Sequence, residues 1–236
     1  MRVFRICKGD REMNLFDIIG PVMVGPSSSH TAGACRIGYV ARKLLGEEVK
    51  QAQILLYGSF LATGKGHGTD SALVAGLMGM LPDDERIPGS QTLASERGME
   101  VTFGEANLRN ARPNSVELIL TGVSGRHLDV VGESLGGGLI NIASVGGLAV
   151  NFSGDLPTLI VQNHDRPGRV AEVTGMLSKE SINVATLHLL RSGRGGDAVM
   201  VIECDQEIKE ETLDWLKKLD GVTEITYYSP AGRSDK

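Results

Sequence analysis

Two histidines sit where acid–base chemistry could be assembled. His30 closes the run Gly25-Pro26-Ser27-Ser28-Ser29-His30-Thr31, a proline-punctuated string of hydroxyls directly before an amphipathic stretch. Ser28, Ser29 or Thr31 would cap the first free amides of the helix that follows, and those amides with the helix dipole favour a carboxylate or phosphate. An imidazole among hydroxyl donors beside a bound anion can hold or move a proton near neutral pH. His67 lies in Gly64-Lys65-Gly66-His67-Gly68-Thr69-Asp70, where glycine on both sides implies a backbone that approaches something closely. It is the better candidate base. Thr69 and Asp70 also suit the cap and first turn of the next helix. Two further stretches could meet a ligand. Arg112-Pro113-Asn114-Ser115 offers a guanidinium and an amide, and Ser134-Leu135-Gly136-Gly137-Gly138 offers backbone amides.

Two reaction classes fall away on spacing. Ser29 beside His30 does not make a hydrolase, because adjacent side chains rarely aim at each other and no GxSxG elbow occurs. Gly58 to Lys65 is no nucleotide-phosphate loop, having five residues between its glycines and no Ser or Thr after the lysine.

The elements that must position these groups follow from periodicity. A helix is expected over about 31–45, stopped by Gly46, then a strand over 51–60, the glycine loop, and a helix over about 70–81 ended by Pro82. From Met99 the pattern changes to short β-prone runs at 99–103, 115–121, 126–132, 138–143 and 147–152, read as an antiparallel meander. Turn formers at 151–157 place a boundary near 154–157. Beyond it come a strand (158–162), a helix (169–178), two strands (184–190, 198–204), a helix (209–219) and a strand (222–228), the βαββαβ order of a ferredoxin-like unit, expected to fold separately. Its Pro167-Gly168 makes a tight turn before a helix start, and Asn163, Asp165 and Asn183 supply side chains for an ammonium and a carboxylate. The fold class expected is α+β: an N-terminal α/β domain with an antiparallel sheet (13–153), a linker (154–157) and the ferredoxin-like domain (158–230), with tails at 1–12 and 231–236.

With 236 residues, 41% hydrophobic and 22% charged, the chain has room for two cores, and a formal net charge of −5 gives no basic footprint for nucleic acid. No apolar run approaches the roughly 20 residues of a membrane span, and a cytoplasmic location is expected. Cys7, Cys35 and Cys204 are far apart and cannot supply the thiolates of an iron–sulfur cluster in the usual spacing.

Taken together, Phe16 to Gly33, Gly66-His67-Gly68-Thr69-Asp70, Arg112-Pro113-Asn114 and Gly136-Gly137-Gly138 resemble the beta subunit of bacterial iron–sulfur L-serine dehydratases, over residues 14–228. The first domain is then similar to the allosteric substrate-binding domain of some phosphoglycerate dehydrogenases, and the second to an ACT domain. Asn163-His164-Asp165-Arg166-Pro167-Gly168 and Ile182-Asn183-Val184 match the ACT amino-acid-binding turn and strand entry. The resemblance implies a 4Fe–4S cluster on a separate alpha subunit, whose open iron takes the hydroxyl and carboxylate of L-serine. It also implies loss of the α-proton to a base, and aminoacrylate hydrolysis to pyruvate and ammonia. Ser28, Ser29 and Thr31 would hold substrate. His30 would orient it or protonate the leaving group and His67 act as base or position it, or the two roles are exchanged. Thr69, Asp70, Asn114 and Gly136 to Gly138 would add contacts. Asn163, Asp165, Gly168 and Asn183 would bind an amino acid, L-serine first among candidates, at an ACT homodimer interface. The alternative is a non-catalytic regulatory protein that binds a small anion or amino acid.

Overall fold

A computed structural model describes residues 22–230. The tails expected at 1–12 and 231–236, Cys7, and the start of the motif at Phe16 lie outside them.

A π-helical turn, Ser28–Gly33, runs into α1 (Ala34–Leu45), which ends at Gly46 in the left-handed conformation. After β1 (Val49–Gly58) come the short helix α2 (Ser59–Thr63), a 3-10 turn at Gly64–His67 and α3 (Thr69–Leu77). Helix α4 (Ser90–Glu96) leads to β2 (Glu100–Glu105), β3 (Asn114–Gly122), β4 (His127–Gly136), β5 (Leu139–Val145) and β6 (Leu148–Phe152). Then follow β7 (Thr158–His164), α5 (Arg169–Lys179), β8 (Val184–Arg191), β9 (Asp197–Cys204), α6 (Glu210–Leu216) and β10 (Val222–Tyr228).

The first sheet has the order β2-β1-β3-β4-β5-β6, and the second β10-β7-β9-β8. The second is the ferredoxin-like order with both helices on one face. In the first, β1 to β6 are paired antiparallel, but β2 lies parallel to β1, in register Gln51 with Glu100 through Leu56 with Glu105. That corrects the expectation that 99–103 opens a meander. A parallel neighbour requires a crossover, and α2, α3 and α4 form it.

Helix α1 lies on the sheet, and α3 packs against α1. Residues Ile37, Gly38, Ala41, Leu44 and Leu45 form a buried stripe at helical spacing, each large side chain worth roughly 1.5–3 kcal/mol when buried. The helices touch backbone to backbone: a Cβ on Gly38 would stand 2.4 Å from the Leu73 carbonyl oxygen, and one on Gly76 2.0 Å from that of Cys35. That contact locks α3 against α1.

Two element ends and one additional helix differ from the sequence reading for local reasons. Strand β1 stops at Gly58, not 60, because its φ of 58° and ψ of −122° turn the chain sharply. Helix α3 ends at Leu77, not at Pro82: Gly79 with φ 86° closes it through Gly79 N–H to Gly76 O (2.8 Å) and Met80 N–H to Ala75 O (2.9 Å). Helix α4, polar and seven residues long, has no apolar period that would have marked it.

The two sheets share a core. Strand alternation in the second sends Leu159, Val161, Met200 and Ile202 toward α5 and α6, while Ile160, Val199, Val201 and Tyr228 join the cluster built around α1. Tyr228 donates to the Gly154 carbonyl (2.9 Å), and buried Glu203 accepts from Ser153 N–H (3.0 Å), Ser153 Oγ–H (2.9 Å) and Thr186 Oγ1–H (2.8 Å). Excising residues 158–228 would uncover Ile160, Val199, Val201 and Tyr228, a part of the second sheet that the first domain covers.

Candidate active site

His30 and His67 meet. Their ring centroids are 4.9 Å apart with the planes tilted 39°. Four chain segments bring them together, each for a local reason.

The start of α1 is capped by Ser27, not by Ser28, Ser29 or Thr31 as expected. Ser27 has extended backbone, its Oγ accepts from His30 N–H at 3.1 Å, and its carbonyl accepts from Thr31 N–H at 2.8 Å. The widened π turn rotates Ser29 and His30 to one side. Ser29 Oγ lies 3.1 Å from His30 Nδ1, which corrects the expectation that adjacent side chains do not engage. Ser134 Oγ–H on β4 donates to the Ser29 carbonyl (2.9 Å), fixing this turn on the sheet.

The second segment is α2, which the sequence reading missed. Gly58 is essential to it, since a Cβ there would lie 2.5 Å from the Pro113 carbonyl oxygen and the φ is left-handed. Ser59 Oγ and Thr63 Oγ1 both stand 3.1 Å from His30 Nε2. Phe60 is fully buried and places its ring edge-on to His30, centroids 5.4 Å apart. Only the serine and threonine after a strand-ending glycine could have signalled this helix.

The third is the glycine loop. His67 Nδ1 is 3.0 Å from the Thr63 carbonyl oxygen. A carbonyl only accepts, so Nδ1 carries the proton and the neutral ring keeps its lone pair on Nε2. Thr31, expected to hold substrate, is buried at 2% exposure and donates its hydroxyl to the His67 carbonyl (3.0 Å). It shapes the loop instead. Thr69 is fully buried and its hydroxyl has no partner; Asp70 lies in the first turn of α3 and accepts from Ser71 N–H (3.0 Å).

The fourth is the edge of β3 and β4. Asn114 pairs with Gly58 across the strands, which places it beside Ser59, and its buried Oδ1 has no partner. Arg112 turns away to Glu133, Nε to Oε2 3.4 Å. Gly136, Gly137 and Gly138 form the left-handed β4–β5 turn two residues beyond Ser134, and the Gly138 carbonyl accepts from Arg36 Nη1–H (2.8 Å).

Electrostatics favour a neutral His30. Burial, and then the charge of His67, hold the His30 pKa below its ordinary value, against a smaller opposing effect from Ser59. With the hydroxyls of Ser29, Ser59 and Thr63 around the two rings, the site can bind a small polar molecule and move one proton. A cavity of about 590 Å³ lies elsewhere, between the end of α1, α6 and β10, and none of these residues lines it.

The described thiols do not fit a cluster. Cys35 is buried, donates its Sγ–H to the Met80 carbonyl (3.4 Å), and burial with nearby Asp84 and Asp83 pushes its pKa up to about 12. Cys204 belongs to the other core, and burial with Asp205 pushes it up to about 11. Cluster ligation needs thiolates. Among the described residues no group of three or more His, Cys, Asp or Glu could hold a metal. Nor is any helix there long and apolar enough to cross a membrane.

The second expected site is not assembled in one chain. Asn163, at the end of β7, is buried, donates Nδ2–H to the His164 carbonyl (2.9 Å) and leaves Oδ1 unpaired. Asp165 accepts from Gly195 N–H (3.1 Å) and Arg191 Nη1–H (3.2 Å), which hold its carboxyl below the usual range. Gly168 precedes α5 with φ 92°. Asn183 donates to Asp205 (2.6 Å) next to Cys204, while Asn163 pairs with Ala198 at the far end of β9. The six steps along β9 from Ala198 to Cys204 separate them by about 20 Å.

Residues 14–143 match the family described as the serine dehydratase beta chain, and residues 157–221 match the ACT domain. The chain is 42% identical over 213 residues to the probable L-serine dehydratase beta chain of Bacillus subtilis, spanning 90% of this chain and 96% of that one. It is 35% identical over 217 residues to the L-serine dehydratase beta chain of Peptoniphilus asaccharolyticus, spanning 92% and 98%. Similarity to the D-3-phosphoglycerate dehydrogenase of Archaeoglobus fulgidus is lower, 26% over 196 residues, spanning 81% of this chain and 36% of that one.

Proposed function

The chain belongs to the serine dehydratase beta-chain family, and we infer that it supplies the polar, proton-moving half of an L-serine ammonia-lyase site that a cysteine-bearing alpha subunit completes. The reaction converts L-serine to pyruvate and ammonia by loss of the α-proton and the β-hydroxyl, followed by hydrolysis of the aminoacrylate. The observation that carries the reading is the contact between His30 and His67, with the His67 Nε2 lone pair free.

In this reading Ser28 and Ser29 bind the substrate carboxylate, and Asn114 Oδ1 and Thr69 supply polar contacts. His67 Nε2 takes the α-proton, the C–H electron pair passes toward Cβ, and the Thr63 carbonyl holds the resulting imidazolium through Nδ1–H. His30, tied to Ser29, Ser59 and Thr63, orients the substrate hydroxyl as the neutral ring, or as the imidazolium protonates it as it leaves and returns to the neutral ring. Asp70 and Gly136 to Gly138 border the site. A 4Fe–4S cluster, if present in the complex, lies on the alpha subunit; no described residue of this chain is its ligand, in keeping with the buried thiols. The complex is placed in the cytoplasm, with no role in nucleic-acid or membrane binding.

The first domain is proposed to end at 154–157, where the chain passes from one sheet to the other between β6 and β7. The ACT domain is proposed to pair two chains. Because Asn183 lies at the opposite end of the sheet from Asn163 and Gly168, an amino acid could touch all three only if a second copy contributes Asn183. Asp165 would shape that turn through the 191–197 hairpin.

The test is anaerobic co-purification of the full chain with a cysteine-bearing candidate partner. The expected result is cluster absorbance and pyruvate from L-serine in the complex only. Pyruvate from this chain alone, without iron, contradicts the reading, and a stable complex that binds L-serine without turning it over supports the regulatory alternative.

A further inference from the structure

Thr63 touches both histidines with two different groups. Its hydroxyl lies 3.1 Å from His30 Nε2, and its carbonyl 3.0 Å from His67 Nδ1. The same hydroxyl donates back to the Ser59 carbonyl at 2.9 Å, the usual bond of a helical threonine to the residue four before it. A hydroxyl has one proton. With it directed at Ser59, Thr63 Oγ1 can only accept from His30, so His30 Nε2 carries the proton and Nδ1 keeps the lone pair that faces Ser29 Oγ–H. Ser59 Oγ, also 3.1 Å from Nε2, shares the same donor, and its own proton remains available to Thr63 Oγ1 (3.3 Å) or to an incoming ligand.

We propose that Thr63 is a positioning residue that fixes the proton arrangement of both imidazoles, Nε2–H on His30 and Nδ1–H on His67. His67 thereby presents the only lone pair not turned onto a neighbouring side chain or carbonyl. Its consequence for turnover rests on the reading of His30 and His67 as the acid–base pair of the site, but the proton positions themselves do not. The arrangement also explains why a five-residue helix interrupts β1 and the glycine loop. Gly58 turns the chain, buried Phe60 anchors the turn, and Ser59 and Thr63 then face the histidines one helical turn apart.

The experiment is nitrogen NMR of the full chain with imidazole-labelled histidine, at a pH above the histidine range. His30 and His67 are assigned with His30→Asn and His67→Gln. The wild type is expected to show His67 protonated on Nδ1 and His30 on Nε2. In Thr63→Val, which keeps the carbonyl and removes the hydroxyl from an exposed site, His67 is expected to stay unchanged and His30 to become a mixture of both tautomers. Thr63→Ser restores the wild-type pattern. In the complex with the partner, Thr63→Val is expected to lower kcat about tenfold with KM little changed, as loss of one hydrogen bond would. His67 protonated on Nε2 in the wild type, or a His30 pattern identical in wild type and Thr63→Val, would overturn the proposal. Proton positions that move as expected while kcat stays put would support it and refute a role for the His30 proton arrangement in turnover.

Discussion

The starts of α1 and α5 look alike in sequence, each a turn with hydroxyl or amide side chains before a helix, and the folded chain treats them differently. At α1, residues from four segments converge on two imidazoles, and Thr69 and Asn114 hold buried oxygens without partners. At α5, Asp165 is taken by Gly195 and Arg191 and Asn183 by Asp205 at the other end of the sheet, so that of the expected ligand-binding side chains Asn163 alone keeps an unpaired atom, in addition to the Arg169 Nε at the helix start. A helix start is therefore a candidate site only when distant chain delivers groups whose bonding remains incomplete.

His30→Asn should sharpen that contrast most. It is expected to lower kcat of the complex by about a hundredfold, with the melting curve little changed, since His30 is half-buried and its bonds are to hydroxyls. An unaltered kcat would return α1 to the standing of α5. Gly58→Ala acts on the scaffold. The left-handed φ and the close Pro113 carbonyl predict a loss of about 1–3 kcal/mol in urea unfolding, and displacement of Ser59 and Thr63 should lower kcat as well. Asp165→Asn should have the smallest effect. Its carboxyl is held below the usual range by the Gly195 amide and Arg191, so the stability it lends is present above the ordinary carboxylate pKa and is lost as pH falls through the lowered one. The variant should leave kcat at neutral pH unchanged while flattening the acid side of the unfolding profile. A large loss of kcat would mean that the two regions are coupled.

Legibility followed the range of the physical cause. The βαββαβ order was readable because each of its elements is periodic over its own length, and the stripe on α1 was plain for the same reason. The parallel placement of β2 was not, because pairing partners are chosen by the crossover and not by residues 100–105. His30 and His67 were legible as candidates from hydroxyl and glycine neighbours. Their meeting depends on Ser59 and Thr63, ordinary residues whose importance appears only once Gly58 has turned the chain. Thr31 was misread because a hydroxyl at a helix start serves equally to bind a ligand or a carbonyl, and burial decided for the His67 carbonyl. Whether Asn163 and Asn183 could share a ligand turned on strand register, which local patterning does not reveal.

The most direct test of the account is the rate of pyruvate formation at saturating L-serine by the partner complex carrying His67→Gln, at cluster absorbance matched to the wild type. The account predicts a kcat lower by about a hundredfold or more, because the lone pair that takes the α-proton is gone. A kcat within about threefold of the wild type would contradict it, since general-base catalysis lost from the site would cost far more than that.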